Sequence, residues 1–247
     1  MKILVCISKT PDTTSRIAFK DNNTQYDESG VQWILNPYDE WFALVRAIEL
    51  KEKDASISID LVTVGLADCD PIIRKALALG GDVAHRINFA SNDSYYVAYQ
   101  IAELAKKESY NLIFTGKETI DYNSSSIGGM IAELLDMPFI SLATKFELAA
   151  NTATINREIE GGEEVNEVEL PVVVSCQKDM AAQRIPNMRG IMAARTKPLH
   201  VIEPVVVDAL TSIERYDLPP ARQSVKLISP DNVAELARLL REEVKAF

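Results

Sequence analysis

The chain has 247 residues, of which 47% are hydrophobic and 25% are charged, as in ordinary globular proteins. Its 36 acidic residues outnumber its 26 basic ones, and the resulting net charge of -10, with the basic residues scattered, excludes nucleic acid as a partner because it repels a phosphate backbone. No apolar run approaches the roughly 18 to 20 residues of a membrane-spanning helix, so we expect a cytoplasmic protein without membrane insertion.

Short apolar runs alternate with amphipathic stretches over the first part of the chain, a pattern typical of βα repeats. Four runs predict parallel strands: Lys2–Ser8, Ile57–Val64, Val83–Phe89 and Asn111–Thr115. Four helices are predicted between or after these strands. The first is capped by Asn36, has Pro37 as its first residue and runs to about Lys53. The second opens with Asp70-Pro71 and closes at Gly80-Gly81, the third covers Ser94–Lys107, and the fourth runs from near Ser124 to before Met137.

Beyond Pro138 the pattern changes to period two, which predicts antiparallel hairpins, followed by a buried strand at Leu170–Cys176. Residues 177–200 show little periodicity, residues 204–228 read as extended, and Ser229-Pro230 caps a final amphipathic helix. We therefore predict an α/β fold with a doubly wound, mostly parallel, Rossmann-like sheet, an antiparallel hairpin extension and a C-terminal arm that ends in a helix. The predicted division is a nucleotide-binding α/β domain at 1–200, including a loop at 177–195, and an arm at 201–247 that packs on a partner or on this chain's own sheet.

The segment Gly116–Gly129 leaves the fourth strand and enters a helix through small hydroxyl residues and glycines. Backbone N–H groups and the positive helix end converge there, which favours anion binding. Its spacing matches neither the P-loop nor the dinucleotide fingerprint, so a polar loop without a ligand is an equal alternative. Asn36–Asp39 lies at the same sheet edge, and Cys6 and Val64 would form the floor of a crevice that suits an adenosine.

Residues for covalent or metal chemistry are not arranged in a recognisable pattern. The histidines, His85 and His200, pair with no nucleophile or carboxylate at catalytic spacing, and Ser124–Ser126 lacks the Gly-x-Ser-x-Gly elbow. The three cysteines are odd in number and lack C-x-x-C spacing, which predicts buried, reduced thiols. We therefore nominate no catalytic residue and no metal site.

The loop Arg184–Met192 carries two methionines and two isoleucines in polar surroundings. Exposed apolar residues on such a loop favour a docking surface, and methionine adapts to different partners. The alternative is that Ile191 and Met192 anchor the loop to the core. We expect both, with one half of the loop anchored and Met188 presented outward.

Six motifs in order along the chain carry a resemblance to a known family. They are Cys6–Asp12, Asn36–Glu40, Ala76–Asp82, Gly116–Asp121, Arg157–Gly162 and Leu170–Val174. In this order and spacing the sequence closely resembles the β subunit of electron transfer flavoproteins over nearly its whole length. The resemblance implies an adenine nucleotide alpha hydrolase-like variant of the predicted fold.

The resemblance also implies a heterodimer whose α subunit holds most of the FAD site, while this chain holds an AMP. The flavin does the redox chemistry and the protein positions it. Thr13 falls where the family brings the β subunit near the flavin ring. The nucleotide contacts implied are Cys6, Asn36, Pro37, Tyr38, Asp39, Val64, Gly116, Lys117, Glu118, Thr119, Ile120, Asp121, Tyr122, Asn123, Ser124, Ser125, Ser126 and Ile127.

The loop at 177–195 is similar to the family's recognition loop, which docks acyl-CoA dehydrogenases of fatty acid oxidation and related flavin dehydrogenases. The residues implied in recognition are Arg184, Ile185, Met188, Ile191 and Met192, with Met188 at the apolar anchor position. An anchor in a partner's pocket would hold the partner while the flavin domain stays mobile.

Two segments depart from the family pattern. Asp121–Ser126 occupies the place of the family's usual acidic run, which is followed by asparagine and glutamine. Met188-Arg189-Gly190 occupies the place of the family's usual Leu-Pro-Asn. The first departure leaves open a bifurcating, NADH-oxidising member with a second FAD in place of AMP, although the loop favours AMP. Two further alternatives are a solitary universal-stress-type nucleotide-binding protein, which would need no recognition loop or arm, and an ATP-hydrolysing or adenylylating enzyme, for which metal-binding carboxylates are missing near Gly116.

Overall fold

The structure is a computed structural model that describes residues 1–222 and 224–246. The strands are β1 (Lys2–Cys6), β2 (Lys9–Pro11), β3 (Phe19–Lys20), β4 (Gln25–Tyr26), β5 (Trp33–Leu35), β6 (Ser58–Val64), β7 (Val83–Ile87), β8 (Leu112–Gly116), β9 (Phe139–Ala149), β10 (Thr152–Ile159), β11 (Gly162–Glu169), β12 (Val172–Cys176) and β13 (Leu199–Ile202). The helices are α1 (Asp39–Lys53), α2 (Asp70–Leu79), α3 (Ser94–Glu108), α4 (Ile127–Leu135), α5 (Met188–Ala194) and α6 (Val233–Leu239). A 3₁₀ turn at Ala67–Cys69 precedes α2, and a π-helical turn at Leu240–Val244 follows α6.

A nine-stranded sheet in the order β11-β10-β9-β12-β8-β1-β6-β7-β13 organises the chain. Strands β9, β12, β8, β1, β6, β7 and β13 run parallel, and β10 and β11 extend the sheet as an antiparallel hairpin. The predicted α/β fold with a mostly parallel sheet and a hairpin extension is confirmed.

Helices cover both faces of this sheet, because successive side chains of a strand point to opposite sides. On one face, Ile3 and Val5 of β1 belong to a core that also contains residues of α1 and α2. On the other, Leu4 belongs to a core formed with α3 and α4. A sheet buried on both faces explains why the central strands read as continuous apolar runs.

The strand order reverses beside β1, since β6 and β7 lie on one side of it and β8 and β12 on the other. In open α/β sheets such a reversal opens a crevice at the carboxyl ends of the strands. The predicted nucleotide segments lie at this edge.

Two predicted helix starts are wrong by a few residues. Helix α1 begins at Asp39, after Tyr38, so Asn36 is not its cap, and α4 begins at Ile127, not near Ser124. An asparagine before a proline is the usual capping signal. At this position, however, contacts with another loop use the amide of Asn36, as described below.

The segment 177–200 holds two elements that the sequence did not predict. Helix α5 has 7 residues, too few for a helical period to stand out, and β13 is an edge strand whose middle residues are exposed. Small two-stranded pairings, β2 with β5 and β3 with β4, were also missed between Lys9 and Leu35.

The arm after β13 has no helix or strand in its described residues 203–222 and 224–232. Helix α6 follows, and its N-cap is Asn232, whose side chain accepts a hydrogen bond from Glu235 N at 3.3 Å, so the predicted Ser229 cap is wrong. The predicted division at 200/201 falls inside β13. Whether the arm is a separate unit stays a prediction.

The register of β13 on β7 places His200 opposite His85, and the two rings stack with centroids 5.6 Å apart. His85 Nε2 lies 3.4 Å from Asp60 Oδ2, which also accepts a hydrogen bond from the Tyr110 hydroxyl at 2.8 Å. This buried polar group lies beneath the sheet edge opposite the crevice.

Other expectations concern thiols and membranes. Cys6, Cys69 and Cys176 are free and buried, as predicted. Within the described ranges, no helix combines the length and the apolar character that crossing a bilayer requires.

Candidate functional site

The crevice lies where three neighbouring strands end. Cys6 ends β1, Val64 ends β6 and Gly116 ends β8, so the floor predicted from the sequence is assembled at one edge. Cys6 is buried, and Val64 and Gly116 are half-buried. The loop that continues from Gly116 to α4 forms one wall, and the start of α1 forms another.

Asn36 joins these two walls. Its side-chain amide donates to the carbonyl oxygen of Glu118 at 2.9 Å, and its side-chain oxygen accepts from Ile120 N at 3.3 Å. The residue is buried, so its two hydrogen bonds exchange little with water. Asn36 therefore fixes the first half of the loop against the segment before α1.

Two carboxylates at the start of α1 complete the wall. Asp39 accepts a hydrogen bond from Glu118 N at 3.2 Å, and Glu40 accepts from Ser8 N at 2.6 Å and from the Ser8 hydroxyl at 2.7 Å. Burial raises the pKa of Glu40 to about 8, against the opposing effect of the Ser8 hydrogen bonds. The pKa of Asp39 is also raised, mainly by burial. The crevice thus holds two carboxyl groups whose environment disfavours charge.

Gly116 is required by packing between β8 and α1. A Cβ atom built there would lie 2.8 Å from Cγ of Glu40 and 3.1 Å from Cβ of Asp39. The family resemblance implies that Gly116 contacts the nucleotide. In the structure, the atoms nearest to an added Cβ belong to the first two residues of α1.

The loop between Gly116 and α4 changes character along its length. Lys117 pairs with Glu118 at 2.9 Å, and Glu118 also accepts from the Ser125 hydroxyl at 3.0 Å. Asn123 and Ser125 both have a φ of 52°, in the left-handed region. The described loop is half-buried at Lys117, Glu118, Thr119 and Ile120, exposed at Asp121, Tyr122, Asn123, Ser124 and Ser125, and half-buried again at Ser126 and Ile127.

Helix α4 points its start at this loop. The first N–H groups of a helix have no partner within it and carry a partial positive charge. The buried Thr115 hydroxyl has no hydrogen-bond partner among the described residues, and it faces Gly128 in the first turn of α4. The start of α4 therefore brings backbone donors to the loop end of the crevice.

The structure brings some predicted site residues together and leaves others apart. Asn36, Asp39 and the first half of the loop are in direct contact, whereas Pro37 is half-buried beside them and Tyr38 is exposed with a φ of 29°. Thr13 is exposed on a turn in which Asp12 accepts two hydrogen bonds from Thr14. Its proximity to a flavin stays a prediction.

Sequence reasoning missed two residues at the crevice. Glu40 stood within the quoted motif Asn36–Glu40 without a role, and only its contact with Ser8 reveals one. Tyr216, from the arm, places its hydroxyl 3.2 Å from that of Tyr122. No periodicity or motif marks Tyr216, because its position depends on the path of an extended segment.

The predicted recognition segment lies on a different surface. Arg184 is held by Glu52 through two hydrogen bonds of 2.6 and 2.9 Å, while Ile185 is 84% and Met188 74% exposed. Ile191 and Met192 are exposed as well, so the expectation that they anchor the segment is wrong. The anchor is the buried Ala194.

The packing of α5 on α2 explains the glycine of this segment. A Cβ at Gly190 would overlap the carbonyl oxygen of Ala78. Arg74 of α2 donates to the carbonyl oxygens of Ala194 and Lys197 at 2.8 and 2.6 Å. The helix is therefore held close along one side, and its methionines remain outside.

Within residues 1–222 and 224–246, no set of three or more His, Cys, Asp or Glu residues is placed to hold a metal ion.

The chain is similar to known proteins over nearly its whole length. The β subunit of electron transfer flavoprotein from Bacillus subtilis strain 168 is 35% identical over 262 aligned residues that cover 100% of both chains. The mitochondrial β subunit from Arabidopsis thaliana is 32% identical over 252 residues, 98% of each chain. Subunit CarD of the caffeyl-CoA reductase-Etf complex from Acetobacterium woodii is 29% identical over 259 residues, 99% of this chain and 98% of its own.

The family model of the electron transfer flavoprotein domain matches residues 23–206. That range contains most of the crevice, the hairpin extension and the exposed segment around α5. The chain therefore belongs to the electron transfer flavoprotein family, and its relatives from Bacillus subtilis and Arabidopsis thaliana are β subunits of that family.

Proposed function

We propose that the chain is the β subunit of a heterodimeric electron transfer flavoprotein that binds AMP in the crevice. It helps to enclose an FAD held mainly by the α subunit. It docks acyl-CoA dehydrogenases or similar flavin dehydrogenases, from which electrons pass through the FAD to a downstream acceptor. We expect it to act in the cytoplasm, as an electron carrier without catalytic residues of its own.

The observation that carries the proposal is the loop from Gly116 to Ile127, fixed at one end and open at the other. Asn36 and Asp39 hold its first half, while α4 begins at its other end, at Ile127. Helix starts with free N–H groups are suited to a phosphate. A crevice at a strand-order reversal is suited to an adenine nucleotide.

Charge at the crevice also supports a nucleotide of low charge. Burial raises the pKa values of Glu40 and Asp39 and so favours their neutral forms. The neutral forms repel a nearby phosphate less than two carboxylates would. Lys117, at the beginning of the loop, supplies a positive charge 2.9 Å from Glu118. These residues bind and orient the nucleotide.

The FAD, when bound at the subunit interface, supplies the electron-transfer chemistry. In the proposal, Thr13 lies at the face of this chain that meets the flavin, on an exposed turn fixed by Asp12. The exposed Ile185, Met188, Ile191 and Met192 form the docking surface for the dehydrogenase. Buried apolar anchors contribute most of the affinity at such surfaces.

A second candidate is a bifurcating electron transfer flavoprotein with a second FAD in place of AMP, which would oxidise NADH. Two observations favour keeping it: the departure of Asp121–Ser126 from the usual loop, and a relative that is named as a subunit of a caffeyl-CoA reductase-Etf complex. The solitary stress-type protein is set aside, because the family match includes the segment around α5.

The test is the nucleotide content of the intact heterodimer. The chain is co-purified with its α subunit, the complex is denatured, and the released nucleotides are quantified by chromatography. One FAD and one AMP per heterodimer would support the carrier. Two FAD and no AMP would establish the bifurcating alternative, and a complex with one FAD and no second nucleotide would overturn the assignment of the crevice.

A further inference from the structure

The first half of the C-terminal arm is attached to the body of the chain at three places. Val205 exchanges two backbone hydrogen bonds with the side chain of Gln100 in α3, at 2.8 and 2.9 Å. Thr211 donates from its backbone N–H at 2.9 Å and from its hydroxyl at 2.6 Å to Asp93, the residue that caps α3. The arm therefore runs along α3 from its middle to its start, toward the crevice.

The third attachment is Tyr216. Its backbone N–H donates to the carbonyl oxygen of Asn23 at 2.8 Å, and its ring stacks on Phe19 with centroids 4.7 Å apart and planes at 11°. These contacts fix the ring over the small β3–β4 hairpin. Its hydroxyl then lies 3.2 Å from the hydroxyl of Tyr122 in the crevice loop.

This contact reaches the part of the loop that is held least. Asp121, Tyr122 and Asn123 are exposed, in contrast to the first half of the loop, which Asn36 and Asp39 hold. Among the described residues, one other side-chain hydrogen bond reaches this part from outside the loop, and it joins the hydroxyls of Ser94 and Ser124 at 3.4 Å. Tyr216 is therefore placed to restrain the outer half of the loop.

Exposed apolar side chains lie along the whole described arm. Before Tyr216, Val206 is 100% and Leu210 68% exposed. Beyond it, in the distal arm, Leu218 and Leu227 are 59% and 89% exposed, and α6 leaves Val233 exposed. The three attachments described above lie at or before Tyr216.

We infer that Tyr216 is a positioning residue of the nucleotide crevice, which acts through the Tyr122 hydroxyl to keep the outer half of the loop closed over the bound nucleotide. The inference rests on the proposed function, in that the nucleotide occupies this crevice. It adds the proximal arm, residues 203–216, to the elements that retain the nucleotide.

The expected size of the effect follows from the contact. A neutral hydrogen bond contributes about 0.5–1.5 kcal/mol, which corresponds to roughly a two- to tenfold change in a rate or an equilibrium constant. Tyr216→Phe keeps the ring on Phe19 and removes the hydroxyl, so it isolates this contact. Tyr216→Ala removes the stacking as well and is expected to have the larger effect.

The experiment compares Tyr216→Phe, Tyr122→Phe, their double variant and Tyr99→Phe, a matched control that removes the hydroxyl of a tyrosine on α3. The rate of AMP dissociation is measured on the full heterodimer, and hydrogen–deuterium exchange of residues 117–126 is measured on the full-length chain. Tyr216→Phe and Tyr122→Phe should each raise both rates about two- to tenfold. The double variant should add little, because both single variants remove the same bond, and Tyr99→Phe should match the natural protein.

Two results would overturn the inference: unchanged loop exchange and AMP dissociation in Tyr216→Phe, or fully additive effects in the double variant. The exchange measurement needs no nucleotide. If the natural heterodimer carries neither AMP nor a second FAD, the proposed function fails, and the exchange rates of the loop still decide whether Tyr216 restrains it.

Discussion

Gly116 sets how closely β8 and α1 approach, and another glycine of the same region offers a control. An added Cβ at Gly116 would lie 2.8 Å from Glu40, whereas one at Gly129, within α4, would meet Phe139 at an ordinary 3.5 Å. We expect Gly116→Ala to lower the free energy of unfolding by about 1–3 kcal/mol through overpacking. Gly129→Ala should be neutral or stabilise by up to about 1 kcal/mol, as expected inside a helix.

Urea unfolding of both variants checks this pair. Equal stabilities would show that α1 moves aside at no cost. Because Gly116 faces α1, the added methyl group should affect the nucleotide only by displacing this helix. The loss of bound nucleotide in Gly116→Ala should therefore scale with that displacement.

Glu40 should make stability depend on pH. Its pKa is raised from 4.5 to about 8, mainly by burial, so the folded chain keeps a proton that the unfolded chain releases. The free energy of unfolding should therefore fall as pH rises from about 4.5 to about 8, by an amount on the order of 3 kcal/mol. Asp39, whose pKa is also raised, acts in the same direction.

Chemical unfolding at pH 5 and pH 8 measures this dependence. Glu40→Gln should flatten it, and Glu160→Gln, an exposed control on the hairpin turn, should leave it unchanged. A Glu40→Gln variant with the same pH dependence as the natural protein would show that Glu40 is ionised in the fold.

At the residue scale, the sequence predicted that Asn36, Asp39 and the loop after Gly116 lie at one sheet edge, but not the contacts between them. Asn36 in Asn-Pro-Tyr-Asp fits a helix cap, and it instead bonds Glu118 and Ile120 across the crevice. The same amide suits both roles. The choice depends on a loop about eighty residues away in the chain, as the Asn36–Glu118 separation of 82 shows.

At the scale of elements, α5 and the residues before it should determine partner docking. Met188 is the first residue of α5, and Ile185 lies in the loop before it; both are exposed, while Gly190 and Arg74 hold the helix against α2. The double variant Ile185→Ala, Met188→Ala should slow electron transfer from an acyl-CoA dehydrogenase at least about tenfold. Truncating an anchor residue at an interface costs more than about 1.4 kcal/mol, and this energy corresponds to a tenfold change in affinity. Flavin and nucleotide content should not change.

The assay measures the rate at which the dehydrogenase reduces the flavin when the dehydrogenase is the limiting component. Val165→Ala, an exposed apolar control on β11, should react at the natural rate. If the double variant and the natural protein reacted at equal rates, the dehydrogenase would not dock on Ile185 and Met188.

Long, buried elements were predicted well and short ones were not. The central strands and α1 to α4 carry periodic or continuous apolar patterns because the sheet is covered on both faces. Helix α5 and strand β13 depend on neighbours, α2 and β7, that supply most of their contacts. Their sequences therefore carry little local signal.

At the scale of the whole molecule, the distal arm should serve association with the α subunit. Its apolar side chains, such as Leu227 and Leu236, are exposed in this chain. Leu227→Asp with Leu236→Asp should leave the melting temperature of the isolated chain unchanged and weaken heterodimer formation by an order of magnitude or more, roughly the cost of burying unpaired charges.

Analytical ultracentrifugation of the mixed subunits measures the affinity. Val165→Asp, which places the same charge on β11, serves as the control. A heterodimer of natural affinity in the double variant would show that the distal arm does not contact the α subunit. An arm of this kind was predicted from its prolines and final helix, whereas its path over α3 was not, since an extended segment has no pattern that encodes its neighbours.

The burial of all three cysteines makes the chain suitable for site-specific labelling. Burial raises the pKa of Cys69 to about 11 and raises the pKa values of Cys6 and Cys176 as well, and the thiolate is the form that reacts. Maleimide reagents at neutral pH should therefore spare the natural thiols. A fluorophore on a single new cysteine at an exposed arm position such as Leu227 would then be the only label, so that association of the arm with the α subunit could be followed molecule by molecule.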